Sequence, residues 1–256
     1  MTSSWLWVVF TVVAAFMQTL RNAMQRELTG TLGTVGATHV RFLFGCPFVI
    51  VFLLGVMLAT GAALPRPGSL FWPWVILGAF AQVAATALML AAMGERSFVV
   101  TIAYIKTEPI QVAVFGLVFL GDALTLPTMT AVIVATAGVV IMSTKPGGMI
   151  GGIRPTLIGL ASGSMFALSA IGFRGAILDL ALPNYVMAAT FTLAVGIAMQ
   201  AVVLSIYLAL RSPTVLFAIF RAWKPSLSAG LAGAMNRCYG VLRSCSTRHI
   251  GGLSIL

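Results

Sequence analysis

The sequence predicts an all-α protein that crosses a lipid bilayer several times. Hydrophobic residues make up 60% of the chain and charged residues only 8%, a composition typical of polytopic membrane proteins. Long apolar runs recur and are separated by short polar or Gly/Pro-rich segments, and about twenty apolar residues suffice to cross a bilayer as a helix. The net charge of +10 comes mostly from Lys and Arg between these runs, where such residues orient membrane insertion. We therefore expect an integral multi-pass protein with the lipid bilayer as a partner and no nucleic-acid partner.

Seven apolar spans can be delimited, and an eighth begins at Pro225. The first lacks a basic leader and a small-residue cleavage site, so it is predicted to be a retained helix. The glycine-containing segment 29–37 is predicted to be a connector, since it has no phosphate-loop ending. Pro127 precedes the fifth span and suits a first helical turn. The spans run over residues 5–20, 40–60, 70–93, 98–120, 128–143, 156–173 and 185–210.

The fourth span carries the most informative residues. Glu108 lies near its centre, where a carboxylate costs on the order of 3 kcal/mol by insertion scales and normally faces a cavity or a partner. Pro109 follows, cannot donate to the carbonyl four residues back, and predicts a helix break. Lys106 points to nearly the opposite side of the helix. A polar stripe at helical spacing extends this face: Thr101, Tyr104, Glu108 and Gln111. The pattern favours a substrate or ion pathway over a kinked packing helix.

Polar residues in the first two spans leave two pairs of alternatives open. Gln18, Asn22 and Gln25 share a helical face, and they either line a pathway or mark where the helix leaves the bilayer. Arg41, at the start of the second span, is either an interfacial anchor whose head reaches water or a partner for Glu108.

Two further pairs of residues bear on helix packing. Gln82 and Thr86 lie four positions apart in the third span and predict either cavity lining or an interhelical hydrogen bond. Gly159 and Gly163, also four apart, predict close approach of the sixth span to another helix.

The sequence also resembles a known family over its most specific stretch, residues 98–142. Residues 106–122 read Lys-Thr-Glu-Pro, six further residues, then Gly-Leu-Val-Phe-Leu-Gly-Asp; Pro127 and Thr-Ala-Gly-Val-Val-Ile-Met at 136–142 follow. This pattern resembles the EamA-type drug/metabolite transporter superfamily. The resemblance implies ten transmembrane helices in two inverted repeats of five, and export or exchange of small metabolites. About seven to eight of those helices are present here.

A weak internal repeat at an offset of about 152 residues supports a duplicated organisation. Leu-Arg-Asn-Ala at 20–23 matches Phe-Arg-Gly-Ala at 173–176. We therefore expect a first repeat of five helices at 1–145, a glycine-rich linker at 146–155 and an incomplete second repeat at 156–235.

Residues 236–256 form a basic segment that does not continue the repeat. Arg237, Arg243 and His249 would be very costly in a bilayer without acidic partners. We expect a frameshift near Met235 that leaves a truncated transporter with a non-native tail. The alternative is a natural short form whose tail binds anionic lipid, with a homodimer or a partner chain completing the cavity.

Enzyme chemistry has little support in the sequence. Gly-Leu-Ala-Ser-Gly at 159–163 misses the Gly-x-Ser-Gly pattern of intramembrane serine proteases, and no histidine is expected in a span. The three cysteines lack metal-ligand spacing, so neither a metal nor another cofactor is predicted.

We therefore expect a secondary transporter, in the inner or plasma membrane of a bacterium, that exports small metabolites such as amino acids or drugs by alternating access with proton coupling. The alternatives are a transport-inactive truncated product that needs a partner chain and, less favoured, an intramembrane enzyme. Counting basic residues places the N-terminus outside, whereas the resemblance implies that it is inside, so the orientation stays open.

Overall fold

The computed structural model describes residues 6–95, 98–105, 107–121 and 153–221, together with seven separate positions between 126 and 138. Most of the described residues are helical and none of them forms a strand, which confirms the predicted fold class. Most of the fifth span, most of the linker, the eighth span and the basic tail lie outside them. The helices are α1 (Leu6–Leu43), α2 (Gly45–Thr60), α3 (Phe71–Glu95), α4 (Phe98–Ile105), α5 (Glu108–Leu120), α6 (Ile153–Asp179), α7 (Tyr185–Arg211) and α8 (Pro213–Arg221).

Helix α1 is bent sharply at Gly33, which has φ 70° and ψ 174°. The Gln25 side chain donates from Nε2 to the Ala37 carbonyl oxygen over 3.2 Å, although twelve residues of straight helix would separate them by about 18 Å. We call residues 6–32 the first arm and residues 34–43 the second arm. The predicted connector at 29–37 is therefore wrong: apart from Gly33 it is helical, and membrane helices tolerate glycine.

The second arm continues almost directly into α2. Phe44 lies between them with helical angles, and its amide donates to the Val40 carbonyl over 3.1 Å. Residues 34–60 thus extend for about 40 Å at 1.5 Å per residue, enough to cross a bilayer. The second span therefore begins earlier than predicted, and the first ends later.

The structure divides into two compact units, and the first contains α1, α2, α7 and α8. Val49 of α2 packs with Ala194 and Ile197 of α7 in a buried core. Gly36 lets the second arm approach α8, since a Cβ there would lie 2.9 Å from Val215 Cγ1. Small residues at such crossings are typical of membrane helix packing.

The second unit covers Leu70–Ala176 and contains α3, α4, α5 and most of α6. Val112 of α5 packs with Ala167 and Ile171 of α6. Helices α3 and α6 meet backbone to backbone, because a Cβ at Gly172 would lie 2.6 Å from the Gly78 amide nitrogen.

Four helical stretches of the described chain are long and apolar enough to cross a membrane. Large apolar side chains such as Leu58, Leu210 and Val51 are strongly exposed, as lipid-facing side chains are. The ends of the third and seventh predicted spans lie within two residues of the ends of α3 and α7. The candidate spans are Ala15–Thr60, Phe71–Glu95, Arg154–Asp179 and Tyr185–Arg211.

Candidate functional site

The regular hydrogen bonding of the helical segment that carries Glu108 is interrupted at Thr107, which keeps helical backbone angles of φ −74° and ψ −12°. Helix α4 ends at Ile105 and α5 begins at Glu108. Thr107 lies between them; its amide donates to the Tyr104 carbonyl over 3.2 Å, and its hydroxyl donates to the same oxygen over 2.8 Å. Pro109 occupies the first turn of α5, where its missing N–H is tolerated. The interruption thus lies just upstream of the proline, and the polar stripe is divided between two helices.

Two glycines of α6 bring that helix against the interruption. A Cβ at Gly159 would lie 3.0 Å from Tyr104 Cβ, and a Cβ at Gly163 would lie 3.1 Å from Thr107 Oγ1 and 3.3 Å from the Ile105 carbonyl oxygen. The close packing predicted from the four-residue spacing of these glycines is confirmed. Any side chain at Gly163 would fill space beside the interruption.

Several polar side chains lie on the same helical stretch as the interruption. Gln111 Nε2 donates to Thr107 Oγ1 over 3.4 Å. Gln111 Oε1 and Thr101 Oγ1 are buried and have no hydrogen-bond partner among the described residues. Glu108 is half-buried at the start of α5, where the partial positive charge of a helix N-terminus favours a carboxylate. Acceptors and a carboxylate therefore lie along the helical stretch on both sides of Thr107.

Gln82, also in the second unit, is half-buried. The hydroxyl of Thr86 donates to the Gln82 backbone carbonyl over 2.9 Å. The threonine hydroxyl of this predicted pair is thus used within its own helix.

The other predicted pathway residues lie in the first unit. Gln18 is half-buried on the first arm, and the buried Asn22 side chain accepts from Arg21 Nη2 over 2.8 Å. Arg41 is only 4% exposed, and its guanidinium carbon lies 5.4 Å from the centre of the Phe42 ring. Arg41 is therefore buried inside the unit. An interfacial anchor would instead extend its charged group into water.

The sequence reasoning missed a buried histidine. His39 lies on the second arm inside a candidate span, so the expectation that no span contains a histidine is wrong. Its side chain is 0% exposed, and its Nε2 lies 3.1 Å from Ser205 Oγ of α7. His39 was missed because it lies one residue before the predicted start of the second span. Once the helix is extended back to Thr34, the residue falls within the span.

The Ser205–His39 distance is in the range of a nucleophile and its base, but a catalytic base is usually oriented by a third group. His39 Nδ1 has no partner in the described part of the chain. Within the same part, no group of three or more His, Cys, Asp or Glu side chains could hold a metal ion. The arrangement is therefore better suited to binding polar groups than to covalent chemistry.

In the described part of the chain, a helical fold with several candidate membrane spans and buried polar side chains is typical of small-molecule membrane transporters. The family model described as the EamA-like transporter family matches residues 5–144, which is more than half of the 256 residues. The chain belongs to this family, and thus to the drug/metabolite transporter superfamily, whose members move small molecules across lipid bilayers. No curated protein and no solved structure matches the chain.

Proposed function

We propose that the protein is a secondary transporter that exports small polar or amphipathic metabolites, such as amino acids or drugs, across a bacterial inner membrane. Transport proceeds by alternating access, and Glu108 carries the coupling proton. Tyr104, Gln111 and Thr101 contribute polar atoms beside it. Gln18, Asn22, Arg41 and Gln82 complete the set of pathway residues.

The interrupted helix at Thr107 is the observation that carries this proposal. A carboxylate at membrane depth costs on the order of 3 kcal/mol, so a position beside a change in helical hydrogen bonding and two close-packed glycines supports a functional role. Departures from regular helical hydrogen bonding in transporters are found at substrate and ion sites. A carboxylate that can be protonated there supports proton coupling.

Transport by the purified full chain in proteoliposomes tests the proposal. A panel of radiolabelled amino acids and cationic drugs should include a substrate whose flux responds to an imposed pH gradient. Glu108→Gln should abolish the response to the pH gradient and lower the flux roughly tenfold or more.

Glu27→Gln is the matched control, because Glu27 is exposed on α1 and loses the same charge. Lys106→Gln is a second control next to the site in sequence. Equal losses in all three variants would refute the role of Glu108. No flux for any compound would instead support the alternative of a transport-inactive product that needs a partner chain.

A further inference from the structure

A buried polar cluster in the first unit joins three helical segments. Gln25 of the first arm donates to the Ala37 carbonyl of the second arm over 3.2 Å. Two residues later, His39 contacts Ser205 of α7 over 3.1 Å. Gln25 and His39 are both 0% exposed. The bend at Gly33 creates this cluster, because it brings residues 25 and 37 together.

Two atoms of this cluster are left without hydrogen bonds. Gln25 Oε1 and His39 Nδ1 have no partner among the described residues. A buried polar group without a partner costs about 1–3 kcal/mol, and lipid offers no water to satisfy it. Because most buried polar groups are hydrogen-bonded, each orphaned atom needs a ligand or water. Gln25 Oε1 only accepts, so whatever meets it must present a donor.

A cationic side chain, Arg21, lies beside the cluster and donates from Nε and Nη2 to the Asn22 side-chain oxygen. Arg21 precedes Gln25 by one helical turn on the buried face of the first arm, so their Cβ atoms are about 5–6 Å apart. In the described part of the chain, the charged side chains that are buried are Arg21 and Arg41, and both are cationic. A guanidinium suits a carboxylate or phosphate. The cluster therefore offers a cation and, one turn further, a hydrogen-bond acceptor.

We propose that this cluster is a ligand-binding site for small organic anions that carry an ammonium or hydroxyl group beside the carboxylate. The carboxylate lies toward Arg21, the donor group bonds Gln25 Oε1, and His39 Nδ1 makes a further polar contact. The inference rests on the proposed function in one respect, since it names the class of molecule that is transported. It predicts α-amino or α-hydroxy acids rather than simple carboxylic acids.

Equilibrium binding to the purified full chain in nanodiscs tests the site without requiring transport. L-Alanine, L-lactate and propionate share one carbon skeleton and differ in the group next to the carboxylate: ammonium, hydroxyl or hydrogen. Alanine, lactate or both should raise the thermal midpoint with concentration, whereas propionate should bind at least about fivefold more weakly, as expected when one buried hydrogen bond is missing.

Gln25→Met and His39→Phe should each weaken binding of the responding compound by about five- to tenfold. Ser205→Ala removes the bond to His39 but leaves both orphaned atoms, so its effect should be smaller. Thr19→Val is the control, because Thr19 is exposed and its hydroxyl donates to Ala15 of its own helix. The thermal midpoint measured without ligand identifies any variant that fails to fold. If either Gln25→Met or His39→Phe fails to fold, the other variant provides the test.

Unchanged affinity in the folded variants would overturn the site, and so would propionate binding as tight as that of alanine or lactate. The proposed transport would then be tested by the Glu108 variants alone. Absence of binding by all three compounds would also overturn it, and water would then be the partner of the cluster. Binding that is lost in Gln25→Met, in a protein that moves nothing across liposomes, would support the site and count against the proposed transport alone.

Discussion

Gly172 of α6 lies directly against Gly78 of α3, with no side chain between the two backbones. A Cβ at Gly172 would lie 2.6 Å from the Gly78 nitrogen and 2.8 Å from its Cα. Both atoms belong to a helix backbone and cannot move aside as a flexible side chain could. Van der Waals contact between small residues is a main source of helix association in membranes, because lipid removes the hydrophobic drive. This crossing therefore contributes strongly to the stability of the second unit.

Gly172→Ala should destabilise the protein by about 1–3 kcal/mol or more, because the added methyl group overpacks a backbone contact. The thermal midpoint of the purified protein in detergent measures the change. Gly55→Ala is the matched control: a Cβ there meets nothing within 4 Å, and alanine favours a helix over glycine by roughly 0.5–1 kcal/mol. Equal midpoints for the two variants would contradict the close crossing.

Gly33→Ala should destabilise the bend in α1 for a conformational reason alone. The Gly33 angles lie in a region that is essentially restricted to glycine, and other residues there cost about 1–3 kcal/mol. Gly30→Ala is the control, because a Cβ meets nothing within 4 Å at either position and Gly30 has no positive φ. The thermal midpoint should fall for Gly33→Ala and hold or rise for Gly30→Ala. The reverse order would contradict the conformational role of Gly33.

Gly163→Ala should impair transport while leaving Glu108 in place. Its methyl group would press on Thr107 Oγ1 and the Ile105 carbonyl, at 3.1 and 3.3 Å, and so displace the interruption. Small displacements of a binding site reduce turnover steeply, so we expect a flux reduction of roughly tenfold or more in proteoliposomes. Gly94→Ala, which meets nothing within 4 Å, should transport normally. Full activity of Gly163→Ala would exclude a role for the geometry at Thr107.

Asn184→Ala should destabilise the start of α7 by about 1 kcal/mol. The Asn184 side chain accepts from the Met187 amide over 3.2 Å and so satisfies one of the unpaired donors of the first turn. The thermal midpoint should fall for alanine and recover with Asn184→Asp, which keeps the acceptor. Loss with both substitutions would mean that the amide group, rather than the cap oxygen, is needed.

The sequence predicted the membrane class and several helix ends because apolar length alone determines them. The third span, predicted at 70–93, is observed at Phe71–Glu95. The sixth, predicted at 156–173, extends to Ile153–Asp179. The predicted span ends just before Arg174, yet this half-buried arginine lies inside the helix. Charge marks a span boundary only when the side chain faces water.

The first unit was harder to predict. Glycines at 30, 33 and 36 look alike in the sequence, yet only Gly33 has a backbone angle that bends α1. The sequence points to Glu108 because a proline and a carboxylate are adjacent in one span. It does not point to His39 with Ser205, since 166 positions separate them and neither carries a local signal. The roles of the individual pathway residues stay predictions.

The separation of His39 from Ser205 also affects how the protein is made. A ribosome adding about 5–20 residues per second needs on the order of 10 to 30 s to pass from one to the other. During that interval the imidazole of His39 has no Ser205 hydroxyl to bond. It must therefore stay out of the hydrocarbon core of the bilayer. The segment around His39 therefore has to remain in the insertion machinery or at the headgroup layer until α7 is synthesised.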